Sequence, residues 1–277
     1  MTDQTVPTPI EVDVVEDYLM DLHPSIFNLL LQDKTTKRNI IWATKDYETL
    51  GEEYGESHEI LPESVTGKNA FLIQPRSAKA KGDQAARTRD KAEVFTPSWV
   101  CNKQNNLVDE QWFGRADVFN TEADQRWITN PHPIQFPDIK AKSWKRYIDI
   151  QRLEVSCGEA PYLISRYDTV TGEMIPVPER IGLLDRKLRV VSENTQGEEE
   201  WFQWALRAYQ SVYGYEYQGD SLLLARENLL VSFIDYYRAQ FDKHPTLKKM
   251  VRIANVISWN IWQMDGLTYT LPYAKGH

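Results

Sequence analysis

The chain has 277 residues, enough for one large domain or for a core with a substantial appendage, so a small stapled scaffold is excluded. With 42% hydrophobic and 26% charged residues, nine Trp and fourteen Tyr, it has ample material for a core, which excludes wholesale disorder. A net charge of −8 argues against histone-like coating of DNA, two cysteines allow at most one bridge, and the longest apolar run, Ile26 to Leu31, is a fraction of a membrane span. Nothing near Met1 combines a basic start, an apolar run and a small-residue cleavage site, so a cytoplasmic location with no membrane partner is expected.

In chain order, the first ten residues suit a loose tail. Val15, Leu19 and Leu22, then Ile26, Leu29 and Leu30, fall at near-helical spacing around Pro24, which predicts two short helices. Ile40 to Ala43 and Ala70 to Gln74 are apolar runs of strand length on either side of an acidic loop. Ser77 to Asp90 suits an exposed helix or a basic linker, Ser98 to Val108 a helix, and the stretch to Pro137 irregular structure packed by aromatics. Tyr147 to Val155 alternates as a strand does, Ser156-Cys157-Gly158 breaks it, and Pro161 to Tyr167 suits a helix. Trp201 to Ser211 suits a helix, Val212 to Tyr217 a strand, and Ser221 to Phe241 a long helix. Met250 to Met264 runs as helix or strand into Asp265-Gly266. Strands alternating with helices in the C-terminal part imply a mostly parallel sheet with flanking helices, after a mainly helical region with a basic linker at 1–91.

Charge is unevenly spread. Arg76, Lys79, Lys81, Arg87, Arg89 and Lys91 stand against Asp83 and Asp90, a net +4; Lys140, Lys142, Lys145, Arg146 and Arg152 stand against Asp138 and Asp149, a net +3. Such blocks are commonly solvated faces, and they also suit contact with phosphate.

Three strand ends carry the candidate chemistry. In an open parallel sheet ligands bind beyond the carboxyl ends of the strands, where a residue without a side chain lets backbone approach a ligand. Gly158 occupies that place after the first strand, and Glu154 is placed to accept from a cationic amino-acid moiety. Glu216, ending the second, is placed to hold ribose hydroxyls, and Asp265, ending the third, to meet the exocyclic amine of an adenine. Taken singly, each also suits an ordinary turn or an exposed acid.

Glu93-Val94-Phe95-Thr96-Pro97, then Glu154 to Leu163, Tyr213-Gly214-Tyr215-Glu216 and Asn260 to Asp265 occur in the order found in amino-group DNA methyltransferases. The chain resembles the modification subunit of a bacterial restriction-modification system over roughly Ala92 to Leu267. The resemblance implies a Rossmann-like class I methyltransferase core at 92–277, incomplete at its C-terminal side, with S-adenosylmethionine as cofactor and adenine N6 in double-stranded DNA as substrate. It implies that Phe95, Thr96 and Pro97, with Glu154, Cys157 and Gly158, hold the methionine end, Glu216 the ribose and Asp265 the adenine. Arg76, Lys79, Lys81, Arg87, Arg89, Lys140 and Lys142 would contact DNA.

The chain departs from that pattern in three places. Ala160 stands where the family has its second glycine, and Glu159 where it has a small polar residue. The Asn or Asp, two prolines and aromatic that serve catalysis are not found; Asn130-Pro131-His132-Pro133 precedes the second motif and lacks the aromatic. No catalytic residue is assigned. Expected partners are therefore a second methyltransferase half, or a specificity or restriction subunit, and the competing expectation is a noncatalytic DNA-binding or assembly subunit of the same fold. Cys157 is expected to be an inert packed thiol. The five histidines lack ligand spacing, so no metal is expected.

Overall fold

The computed structural model describes residues 14, 16–79 and 96–273. Phe95, Lys81, Arg87, Arg89, Lys91 and the expected boundary near residue 91 lie outside them. Among the described residues the fold is mixed α/β, with nine α-helices, a two-stranded hairpin and a three-stranded parallel sheet.

The break at Pro24 separates α1 (Glu16–Leu22) from α2 (Pro24–Leu31); His23 caps α2 by accepting from Ser25 N at 3.2 Å, and Pro24 sits in the first turn, where its missing N–H costs nothing. Neither expected early strand forms. Ile41 makes a single isolated bridge to Glu59, and Ala70 to Gln74 is turn whose Ile73 plugs the core. After α3 (Pro62–Val65) comes α4 (Ser98–Phe113), longer than predicted and closed by Gly114 at φ 75°. A hairpin, β1 (Asn120–Ala123) with β2 (Arg126–Thr129), occupies the stretch expected to be irregular, and its turn holds Asp124 and Gln125 at positive φ.

The segment expected as one strand from Tyr147 is a helix, α5 (Trp144–Asp149), followed by a short strand, β3 (Arg152–Val155). Pro161 to Tyr167, expected as helix, is turn and coil, because Ala160 enters it at φ 62° and Ser165 is tied to Asp185 of the next helix. That helix, α6 (Leu183–Asn194), was not expected. The chain continues through α7 (Glu198–Gln210), β4 (Val212–Glu216), α8 (Gly219–Phe241), α9 (Leu247–Asn260) and β5 (Ile261–Gln263).

The sheet has the order β3-β4-β5, all parallel, with Arg152 opposite Val212 and Gly214 opposite Ile261. Val212, Gly214, Glu216, Ile261 and Gln263 point to the face packed by α7, α8 and α9. α2 packs on α9, and one hydrophobic cluster runs from Val14 to Ile261, so the N-terminal helices and the sheet share a core. The buried Arg226 guanidinium crosses that core, donating to Leu30 O, Gln32 O and Ile261 O. No helix among the described residues is long and apolar enough to cross a membrane.

Candidate functional site

The loop after β3 alternates into left-handed backbone at Ser156, Gly158 and Ala160, with φ of 54°, 51° and 62°. This winding turns Cys157 N onto Tyr215 O at 2.8 Å and Ala160 N onto Cys157 O at 2.7 Å, so the loop lies against the end of β4. Among the described residues no atom lies within 4 Å of where a Gly158 Cβ would stand, which leaves open space beside its backbone. Ala160 keeps the conformation a glycine would take at a strain of about 1 kcal/mol. Cys157 is buried, and its sulfur packs over Gly214, where a Cβ would come within 3.1 Å of it. Burial pushes the thiol well above its ordinary range, as suits a packing residue.

Glu216 closes the next strand. Its Oε2 accepts from Gly158 N at 2.8 Å, and its Oε1 from Tyr217 N at 2.9 Å and Gln218 N at 3.1 Å. The carboxylate thus ties the β3 loop to the start of α8 while Oε2 keeps one lone pair free. Burial pushes its pKa up. Glu154, on β3, accepts from Tyr162 N at 3.4 Å and Leu163 N at 3.2 Å, one bond on each oxygen. Burial pushes it up to about 8, against the pull of those two amides, and the nearby Glu216 adds to the rise. Among the described residues no basic side chain is ion-paired with either carboxylate.

These groups border a cleft of about 780 Å³ beyond the carboxyl ends of β3 and β4. Its remaining walls come from Thr96, from Tyr162 and, far away in sequence, from Ala43, Thr44, Lys45 and Glu56. Sequence reasoning missed that last wall. It is built because Gln263, at the end of β5, grips both backbone groups of Ile41 (Ile41 N to Oε1 at 2.9 Å, Nε2 to Ile41 O at 2.7 Å), while Gly219 N donates to Trp42 O. The side-chain amide of Gln263 takes the place of one more ladder pair beside the sheet. Lys45 is the one basic side chain among the described lining residues.

Glu159 stands at the cleft yet is buried, and both of its oxygens are engaged: Oε1 accepts from Arg76 N at 2.8 Å and Oε2 from Tyr167 OH at 2.5 Å. The acid that replaces a small residue of the family pattern therefore turns inward and anchors the segment that begins at Arg76.

Of the residues singled out in the sequence, Thr96, Glu154, Cys157, Gly158 and Glu216 converge on the cleft. Pro97 instead lines a neighbouring hollow with Trp99 and Trp127. Asp265 lies beyond β5 and does not line the cleft; it caps its own turn, accepting from Leu267 N at 2.8 Å and Thr268 N at 3.2 Å. Lys140 and Lys142 precede α5 and do not line the cleft. Lys142 sits over the Trp112 ring. Arg76 and Lys79 flank the turn anchored by Glu159. Asn130 donates to Val118 O and lines a separate hollow with Arg189 and Tyr236. Comparison of the chain with models of protein families, with curated proteins and with solved structures gives no match.

Proposed function

We propose that the chain is a DNA methyltransferase-like modification subunit of a restriction-modification system, with a Rossmann-like class I core that binds S-adenosylmethionine and directs a methyl group to adenine N6. The observation that carries this is the pair of desolvated carboxylates, Glu154 and Glu216, without cationic partners among the described residues, at adjacent parallel strands on either side of an uncovered glycine. In their ionised form these carboxylates repel a nucleoside phosphate and favour a ligand with positive charge, which in turn draws them toward ionisation.

The residues present fit that cofactor. When ionised, Glu154 retains acceptor capacity on both oxygens for an ammonium group, Gly158 leaves open space beside its backbone, and the free lone pair of Glu216 Oε2 suits one ribose hydroxyl. When bound, the cofactor supplies an electrophilic methyl on sulfonium. The chain's own work is to hold that methyl in line with an amine of a base taken out of the helix and to set two carboxyl groups beside the positive charge. Asp265, engaged in its own turn, has no role in this reading unless that turn opens. Isothermal titration tests it: S-adenosylmethionine binds to the folded chain and ATP does not. Absence of S-adenosylmethionine binding overturns the assignment.

A second reading is favoured by one observation: Asn130, in the only stretch resembling the catalytic tetrapeptide, turns its amide onto backbone away from the cleft. In this reading the chain is a noncatalytic DNA-binding or assembly subunit. Transfer of tritiated methyl to unmodified DNA by the purified chain excludes it.

A further inference from the structure

We propose that Glu154 and Glu216, set on adjacent strands on either side of the Gly158 turn, act together as a charge sensor that holds S-adenosylmethionine more tightly than S-adenosylhomocysteine, its demethylated product. The inference rests on the methyltransferase reading and adds to it how the site tells the two forms of the cofactor apart. Those forms differ by one methyl and by one positive charge on sulfur. A site that feels the charge keeps the reactive form and lets go of the spent one.

Glu154 stands opposite Gly214 in register and Glu216 follows two residues along β4, so both side chains project to the same face of the sheet. Strand spacing and rise put the two backbones about 8 Å apart, and a charge between the side chains is within about 5 Å of each carboxyl. With the ammonium at Glu154 and the ribose at Glu216, the sulfur falls in that interval, because it joins the two parts. At such a range a unit charge in a protein site changes affinity by ~10-fold or more.

Among the described residues, Glu154 is faced by Glu216, by Cys157 of the loop, by Cys101 of α4 and by Tyr162, and Glu216 is faced by Asp220 of α8. Both thiols and the phenol are pushed up, so they stay neutral, and Arg226 of α8 reaches Cys157. Asp220 is engaged by Tyr47 OH at 2.9 Å and by Ser221 N at 2.7 Å. Glu159 is tied to Arg76 N and Tyr167 OH, and Lys45 and Glu56 stand on the wall beyond β5. Burial raises both sensor carboxyls, Glu154 to about 8, so near neutral pH a cation between them draws out protons that a neutral thioether leaves in place.

Calorimetry with each ligand on the full chain, from about pH 6 to about pH 8.5 in buffers of different ionisation enthalpy, tests this. The expected result is a preference for S-adenosylmethionine that grows at least ~5-fold over the range, with more protons released at about pH 7 than S-adenosylhomocysteine releases. Glu154→Gln keeps the shape of the side chain without its charge, and in it the preference is smaller and changes less with pH. Should its amide nitrogen, set against the backbone amides of Tyr162 and Leu163, unfold the chain, the two readouts on the unaltered protein decide alone. A preference that does not change with pH, equal proton release by the two ligands, or tighter binding of S-adenosylhomocysteine at high pH overturns the proposal and leaves the cofactor assignment standing. Binding of neither ligand overturns both.

Discussion

The backbone amide of Gly158 and Oε2 of Glu216, 58 residues apart, are joined at 2.8 Å, so the glycine turn after one strand and the acid ending the next form a single unit. Glu216 also receives the amides of Tyr217 and Gln218, and its removal leaves three donors without an acceptor. Glu216→Ala is expected to lower stability by about 2–3 kcal/mol, measured by urea unfolding, and to weaken S-adenosylmethionine binding at least ~10-fold by calorimetry.

Glu154 makes the site sensitive to pH. Its carboxyl is pushed up to about 8, chiefly by burial, whereas an unfolded chain gives it up near the ordinary 4.5. The folded state thus holds this proton more tightly, and its contribution to stability is complete below about 4.5 and lost as pH rises through about 8. A cationic ligand prefers the ionised form, so its affinity climbs with pH by up to ~10-fold per unit below that point, with release of up to about one proton on binding. Titrations in buffers of different ionisation enthalpy read the proton directly. Glu154→Gln abolishes the release and flattens the pH dependence of binding.

Gly158→Ala and Gly197→Ala form a matched pair. Both glycines have positive φ, 51° and 77°, and at neither would a Cβ meet an atom within 4 Å. Each substitution is expected to cost about 1–2 kcal/mol in thermal or urea unfolding from backbone strain. Only the first puts a methyl into the cleft, so only it weakens ligand binding. Equal binding by the two variants would show that the ligand does not approach Gly158.

Gly219 starts α8 against the segment that walls the cleft. A Cβ there would lie 2.0 Å from Ile41 O, which is backbone and held in place by Gln263. Gly219→Ala is expected to destabilise the protein by about 3 kcal/mol or more and, by displacing Ala43 to Lys45, to loosen the cleft. Urea unfolding and S-adenosylmethionine calorimetry measure the two effects.

Glu154, Gly158 and Glu216 were legible in sequence because each ends or follows a strand whose alternation is broken by small or turn-forming residues. The helix at Leu183–Asn194 was missed although Leu183, Leu184, Leu188 and Val191 recur at helical spacing. What no local pattern shows is that its polar side is buried: Arg186 pairs with Asp109 at 2.6 Å, and Lys187 donates to the carbonyls of Ile148 and Ile150. The hairpin turn at Asp124-Gln125 reaches positive φ without a glycine or asparagine to announce it. Ile73 made Ala70 to Gln74 look like a strand by being apolar, although its role is to fill the core from a turn. The cleft wall at Ala43 to Lys45 depends on Gln263, 222 residues from Ile41, a pairing that no local pattern encodes.

Arg226 sets a limit on how the chain can be divided. Its guanidinium has carbonyl oxygens of both α2 and the α9–β5 junction as partners, and burial has already lowered its pKa to about 10. Cutting away the first forty residues would not trim an appendage. It would strand a cation in the interior with half of its acceptors gone, so the amino-terminal helices and the sheet are bound to melt together as one cooperative body.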